Sequence, residues 1–163
     1  MKKLLALAFV CSALSVQAGI GETKQQVEAR YGKPLKTETD KLIGGIGDSQ
    51  LTYKWNDYFV WVTYVGGLSE HEVISREDDK RILIPEIEEL LKVHGGGFKR
   101  VKDSVLSDPT LKDEVKVWET PNGDQAWYQR SRVTSKRSEY MLFITSRKYR
   151  DLEAAQKKGS KAK

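Results

Sequence analysis

Two histidines, His71 and His94, are the first candidates for chemistry, because imidazole is the side chain that titrates closest to neutral pH. A zinc-protease arrangement needs a second histidine four residues on, and neither has one. His94 closes an apolar helical pattern, where the negative end of a helix favours partial positive charge, so its expected role is structural. His71 begins a strand-like segment and is expected on the surface. A serine nucleophile of the Gly-x-Ser-x-Gly type is absent from the sequence. The carboxylate pairs Asp78-Asp79 and Glu88-Glu89 are adjacent, and adjacent side chains do not converge on one substrate. Two carboxylates from distant segments could still do hydrolytic work, which keeps a small carboxylate-dependent hydrolase as an alternative. Gly44-Gly45-Ile46-Gly47 lacks the lysine and hydroxyl residue of a phosphate loop. No catalytic, cofactor-binding or metal-binding residue is assigned, no cofactor is expected, and the expectation is a protein that is not an enzyme.

The other reactive surface is aromatic. In Tyr58 to Val65, YFVWVTYV, the residues Phe59, Trp61, Thr63 and Val65 share one strand face, and Tyr58, Val60, Val62 and Tyr64 share the other. Both faces are apolar. If helices cover one side of such a sheet, the other side offers aromatics to a partner; alternatively the other half of the chain, or the segment from Lys102 to Asp113, covers it. Tyr58, Trp61, Tyr64 and Trp127 are the expected partner-binding residues, and the partner is an unidentified protein of the cell envelope.

These residues are positioned behind an N-terminal leader, MKKLLALAFVCSALSVQA, with Lys2 and Lys3, an apolar run from Leu4 to Val16 and a small-residue site at Ala18-Gly19. That is the pattern of a cleaved secretory signal peptide. The run is shorter than the roughly 20 residues a membrane-spanning helix needs. The chain is therefore expected to be periplasmic or secreted and not an integral membrane protein after cleavage. Cleavage after Ala18 leaves 145 residues and removes Cys11, the sole cysteine, so disulfides, thiolate metal ligands and cysteine nucleophiles drop out. With Lys2 and Lys3 gone, the net charge falls from +5 to +3; the terminus from Arg147 to Lys163 holds +5 of its own, leaving the body at −2. A specific nucleic-acid groove would need its basic residues on the fold itself. The expected tail, 147–163, is basic and flexible. A second alternative follows from it: binding of anionic envelope lipid or polysaccharide through the tail, with Arg130, Arg132, Lys136 and Arg137.

Residues 19–146 read as a single α+β domain. Thr23 and Gln26 fit a capping box, Val27 and Tyr31 share a helical face, and Gly32 and Pro34 end the helix, which should span about Lys24 to Tyr31. Leu35 to Ser49 reads as a flexible connection. Strands are expected at Gln50 to Trp55, Tyr58 to Val65 and His71 to Arg76, joined as an antiparallel meander. Pro85, with Ile87, Leu90 and Leu91, marks a second helix. Strands at Phe98 to Val101, Glu114 to Thr120, Gln125 to Val133 and Glu139 to Thr145 follow, with the Asn122-Gly123 turn the strongest hairpin signal. The order is helix and about three strands, twice, with Trp55 and Trp61 in one half and Trp118 and Trp127 in the other. It predicts a duplicated αβββ unit, repeats 19–79 and 80–146, with two short helices on one face of an antiparallel sheet.

The residues Gly21-Glu22-Thr23, Val27 and Tyr31-Gly32-Lys33-Pro34 resemble the SmpA/OmlA family of small bacterial outer-membrane lipoproteins, which share the tandem αβ shape of β-lactamase-inhibitor-like proteins. The resemblance covers about 14 residues. It implies an αβ shape and non-catalytic protein binding in the envelope. The lipid-bearing cysteine of that family is missing here, so membrane attachment does not carry over. The second half, from Ile84-Pro85-Glu86-Ile87 through Trp118 and Asn122-Gly123 to Leu142 and Thr145, resembles a repeated unit of exported bacterial proteins of unknown function.

Overall fold

A computed structural model describes residues 19–39, 45–95, 97–101, 115–132 and 138–161. The leader, the whole segment expected as a loop over Lys102 to Asp113, and the basic residues Lys136 and Arg137 lie outside the described residues.

Helix α1 (Lys24–Tyr31) starts on the expected capping box: Thr23 Oγ1 accepts from the Gln26 amide, and Gln26 Oε1 accepts from the Thr23 amide at 2.9 Å. It stops at Gly32, whose φ of 83° lies in the region that favours glycine. Eight residues do not hold a helix in water, so burial of Val27 and Tyr31 must do so. Four strands follow: β1 (Lys36–Glu38), β2 (Ser49–Trp55), β3 (Tyr58–Val65) and β4 (Leu68–Arg76). The second half repeats the order with α2 (Ile84–Val93), β5 (Lys99–Val101), β6 (Lys116–Glu119), β7 (Gln125–Arg132) and β8 (Ser138–Thr145). A third helix, α3 (Arg147–Lys161), closes the described chain.

The strands form one eight-stranded sheet in the order β1-β2-β3-β4-β8-β7-β6-β5, with every neighbouring pair antiparallel. The α+β expectation is met. The repeat is a helix and four strands in each half, not three. The difference is β1, which lies within the stretch expected to be a flexible connection.

The halves join through their last strands, β4 and β8. An antiparallel pair at that junction relates them by an approximate twofold normal to the sheet. Such an axis keeps both leading helices on one face, and the Tyr31 hydroxyl indeed meets the His94 ring at the end of α2. Beneath the two helices lies the core. Val27, Tyr31, Ile87, Leu90 and Leu91 pack on Tyr53, Val60, Val62, Tyr64, Ile74, Leu142 and Ile144. Each large apolar side chain enclosed there contributes roughly 1.5–3 kcal/mol.

The basic terminus differs from expectation. From Arg147 it is helical, and its first turn docks on the sheet face opposite α1 and α2. Tyr149 is buried and its ring stacks on His71 at 4.8 Å. Lys148 Nζ pairs with Glu70 Oε1 at 2.7 Å, and the Ser146 amide donates to the Glu70 carbonyl. The helix therefore starts fastened to β4. From Ala154 to Gly159 it is exposed.

Candidate functional site

Two features of the fold have the geometry to do something beyond holding it together. One is polar and lies under the helices; the other is aromatic and lies on the far face.

The polar feature centres on Glu72 of β4, which is fully buried. Strand alternation directs it inward with Ile74, and three partners surround its carboxylate. Arg30 Nη2 of α1 donates to Oε1 at 3.1 Å; the Tyr31 hydroxyl donates to Oε2 at 2.9 Å; His94 Nε2 lies 2.8 Å from Oε2. His94 Nδ1 lies 2.7 Å from the Leu90 carbonyl. Both ring nitrogens thus face oxygen atoms that can accept a hydrogen bond. Arg30 also pairs with Glu22, just ahead of α1. Two carboxylates, one guanidinium and one imidazole meet there in a volume closed to water.

Burial on its own would raise the Glu72 pKa, but His94 and Arg30 beside it, with hydrogen bonds from His94 and Tyr31, overcome that and hold it at about 2. Burial dominates at Tyr31, whose phenol is pushed well above its ordinary value. The cluster ties α1 to the end of α2 through β4, so it couples the two halves. A carboxylate with no exposure cannot meet a substrate from solution, so the chemistry this geometry offers is cohesion.

The aromatic feature is a single cross-strand row on the face opposite α1 and α2. Trp61 opposes Val73, Val73 opposes Phe143, and Phe143 opposes Trp127. The approximate twofold passes through the middle of this row and exchanges the two tryptophans. Trp127 and Phe143 stack at 5.1 Å with rings 7° apart, and Phe59 sits 6.2 Å from Trp61. Trp61, Trp127, Phe143 and Phe59 are all half-buried. Val73 is buried at the centre of the row. At the end nearest α3, His71 continues the stack between Phe143 and Tyr149.

His71 is not a surface residue: it is buried, and its Nδ1 lies 2.7 Å from Thr145 Oγ1. The reason is α3, which covers the start of β4 with Tyr149. Burial pushes the His71 pKa down to about 4 against the opposing pull of Glu153 and Glu72. His94 has the helix-end place expected of it, with the buried contact to Glu72 added.

The four expected partner-binding residues do not share a surface. Tyr64 is completely buried in the core, its hydroxyl 3.3 Å from that of Tyr53. Tyr58 faces the helix side as well, 6.3 Å from Trp55 and hydrogen-bonded to Glu86. Only Trp61 and Trp127 lie on the far face. Strand alternation separates these pairs, and α1 and α2 decide which pair is covered.

Sequence reading missed Glu22, Arg30 and Glu72. Glu72 carried a usable signal: in His71 to Arg76 it holds the same phase as Ile74, so either the strand presents that face to water or a charge goes inside.

A smaller cleft of about 220 Å³ lies where Leu91, Phe98 and Trp118 form an apolar floor and Glu88, Lys92 and Arg100 form the rim. Among the described residues no cluster of three metal-ligating side chains occurs. No described helix is long and apolar enough to cross a membrane.

No family model matches the chain, and no curated protein sequence matches it. Among solved structures, a cysteine-rich secretory protein from Staphylococcus aureus is similar over 77% of this chain at 15% identity and a TM-score of 0.42. The chain spans 44% of that protein's length. A likeness at that level carries no argument about function.

Proposed function

We propose that this is an exported envelope protein that binds another protein without catalysis, through the face bearing Trp61, Phe143 and Trp127. The observation that carries the reading is the half-exposed aromatic row. Tryptophan and phenylalanine at the centre of a sheet give a large, rigid contact area at little entropic expense. The α3 helix borders this face and presents Arg147, Lys148, Lys157 and Lys158, which favours a partner with an apolar centre and an acidic margin. The envelope setting rests on the leader and on the SmpA/OmlA-like helix. The enclosed Glu72 cluster supports a structural use of the ionisable side chains over the hydrolase alternative.

The test is capture from envelope extract with the wild-type protein, with Trp61→Ala, and with Lys36→Ala on the sheet's outer edge as a control. A partner held by wild type and the control but released by Trp61→Ala supports the reading. Identical capture by all three contradicts it.

A second reading has its own observation: the exposed second half of α3 carries Lys157 and Lys158, with Lys157 also reaching Glu153 at 2.7 Å. Binding to anionic vesicles would then fall steeply between low and physiological salt. Salt-independent binding, or binding unchanged after truncation before Lys157, would remove it.

A further inference from the structure

The segment ahead of α1 is held far more firmly than a chain entrance needs. Gly19 is buried. The Gly21 amide donates to the Ser69 carbonyl at 2.6 Å, the Ser69 amide returns to the Glu22 carbonyl at 2.8 Å, and the Glu22 amide donates to Ser69 Oγ at 3.0 Å. Gly19 itself has no room for a side chain: a Cβ there would lie 2.9 Å from the His94 carbonyl oxygen. Burial pushes the Glu22 pKa up, against the opposing pull of Arg30 and, more weakly, of the Gly19 backbone N–H. Glu22 is nevertheless unfinished. One of its oxygens is taken by Arg30, while Oε1 is buried and without a full hydrogen-bond partner. A buried carboxylate oxygen left in that state destabilises the fold until a donor reaches it.

Gly19 is also the residue that follows the expected signal cleavage site. Hydrolysis of the Ala18–Gly19 peptide bond by an export signal peptidase consumes one water, leaves a carboxylate on Ala18 and turns the Gly19 amide into a primary ammonium. One N–H donor becomes three, and a positive charge appears beside an incompletely satisfied carboxylate. We infer that the α-ammonium released at Gly19 docks on Glu22 and joins the buried Glu22–Arg30–Glu72–His94 cluster, so that removal of the leader completes the packing of α1 against β4 and the end of α2. The inference rests on the leader being a cleaved signal.

Three elements supply the groups that face this amine. Glu22 precedes α1, Arg30 and Tyr31 lie on α1, Glu72 is on β4 with the Ser69 hydroxyl, and His94 ends α2. Glu22 and Glu72 favour the ammonium; Arg30 and a protonated His94 oppose it. Glu22 is three residues along the chain from this amine, and it is the carboxylate with a buried oxygen to spare. The ammonium is therefore stabilised in the fold and its pKa rises above the roughly 7.7 of a free chain end. A base whose folded pKa is raised gives its full stabilisation below the unfolded value and loses it as pH climbs through the folded one.

The experiment uses the full chain, exported by a bacterial host and recovered as its natural product. Mass spectrometry first identifies the N-terminal residue. The rate at which the α-amine of that product reacts with an acylating reagent is then followed against pH, beside a free glycyl peptide. The expected result is a product beginning at Gly19 whose amine reacts about tenfold more slowly than the peptide near pH 8, one pKa unit being tenfold in free amine. Glu22→Gln should restore the peptide's rate, and far-ultraviolet circular dichroism should show that this variant remains folded. An unfolded Glu22→Gln is replaced by Arg30→Lys, which leaves Glu22 in place and should keep the amine slow. A product beginning at another residue overturns the signal reading and the inference together. A product beginning at Gly19 with peptide-like reactivity overturns the inference alone and leaves export intact.

Discussion

Glu72 carries its charge where its counterpart across the approximate twofold, Leu142, carries none. The second half shows that an apolar residue suits this position, so the carboxylate is an addition peculiar to the first half. Its partners pin α1 and the end of α2 to one strand. Removing one member of a buried pair leaves the others exposed to the full penalty of desolvation. Glu72→Gln should therefore lower unfolding stability by about 3 kcal/mol in urea at pH 7. The folded Glu72 pKa of about 2 lies below the ordinary 4.5, so its contribution is complete above pH 4.5 and is lost as pH falls toward 2. His71 behaves differently. It is a base held neutral, with a folded pKa of about 4 against 6.5, so the unfolded chain binds its proton first as pH falls. Stability should drop by about 3 kcal/mol between pH 6.5 and pH 4 from this group, at 1.36 kcal/mol for each unit. His71→Phe keeps the stack and removes the proton, and chemical denaturation across that range should show a flatter profile for the variant.

Among the elements, those that announce themselves through local chemistry are the ones legible in sequence. α1 has its capping box and its glycine stop, and the alternating Leu51, Tyr53 and Trp55 of β2 meet the apolar run of β3 across a two-residue turn at Asn56-Asp57, with Asn56 at a φ of 52°. Thr23→Ala should cost about 1 kcal/mol, read from the urea midpoint, because it leaves a helix-end amide without its acceptor. β1 is illegible for a physical reason. It has three residues, with Lys36 and Thr37 exposed, and exists only because the edge of β2 is available to pair with it. α3 is hidden for another. Its sequence is mostly charged, and the residue that docks it, Tyr149, gains its meaning only when His71 lies opposite. The aromatic pattern of β3 likewise revealed two faces but could not say which is covered, since that depends on α1 and α2, both distant from it in the chain. Tyr149→Ala removes the ring that stacks on His71. Amide hydrogen exchange should speed up by at least tenfold across Arg150 to Lys157 while the strands stay protected; unchanged exchange in α3 would mean that the Lys148–Glu70 pair holds the helix unaided.

At the scale of the whole molecule the two faces of the sheet do different work. One is sealed by α1 and α2 over a core and a closed charge cluster, and provides rigidity. The other keeps a symmetric aromatic row half-open, bordered by the cations of α3. Rigid backing behind a row of large rings is the arrangement in which a few residues can dominate an interface. The measurement that bears most directly on this account is site-specific photo-crosslinking in the living envelope. A photoreactive residue replaces Phe59, beside Trp61, and in a separate strain Lys36 on the outer strand. The account predicts one protein adduct of defined mass from position 59, none from position 36, and loss of the first when Trp61→Ala is added. Equal adducts from both positions, or an adduct from position 59 that persists without Trp61, would contradict it.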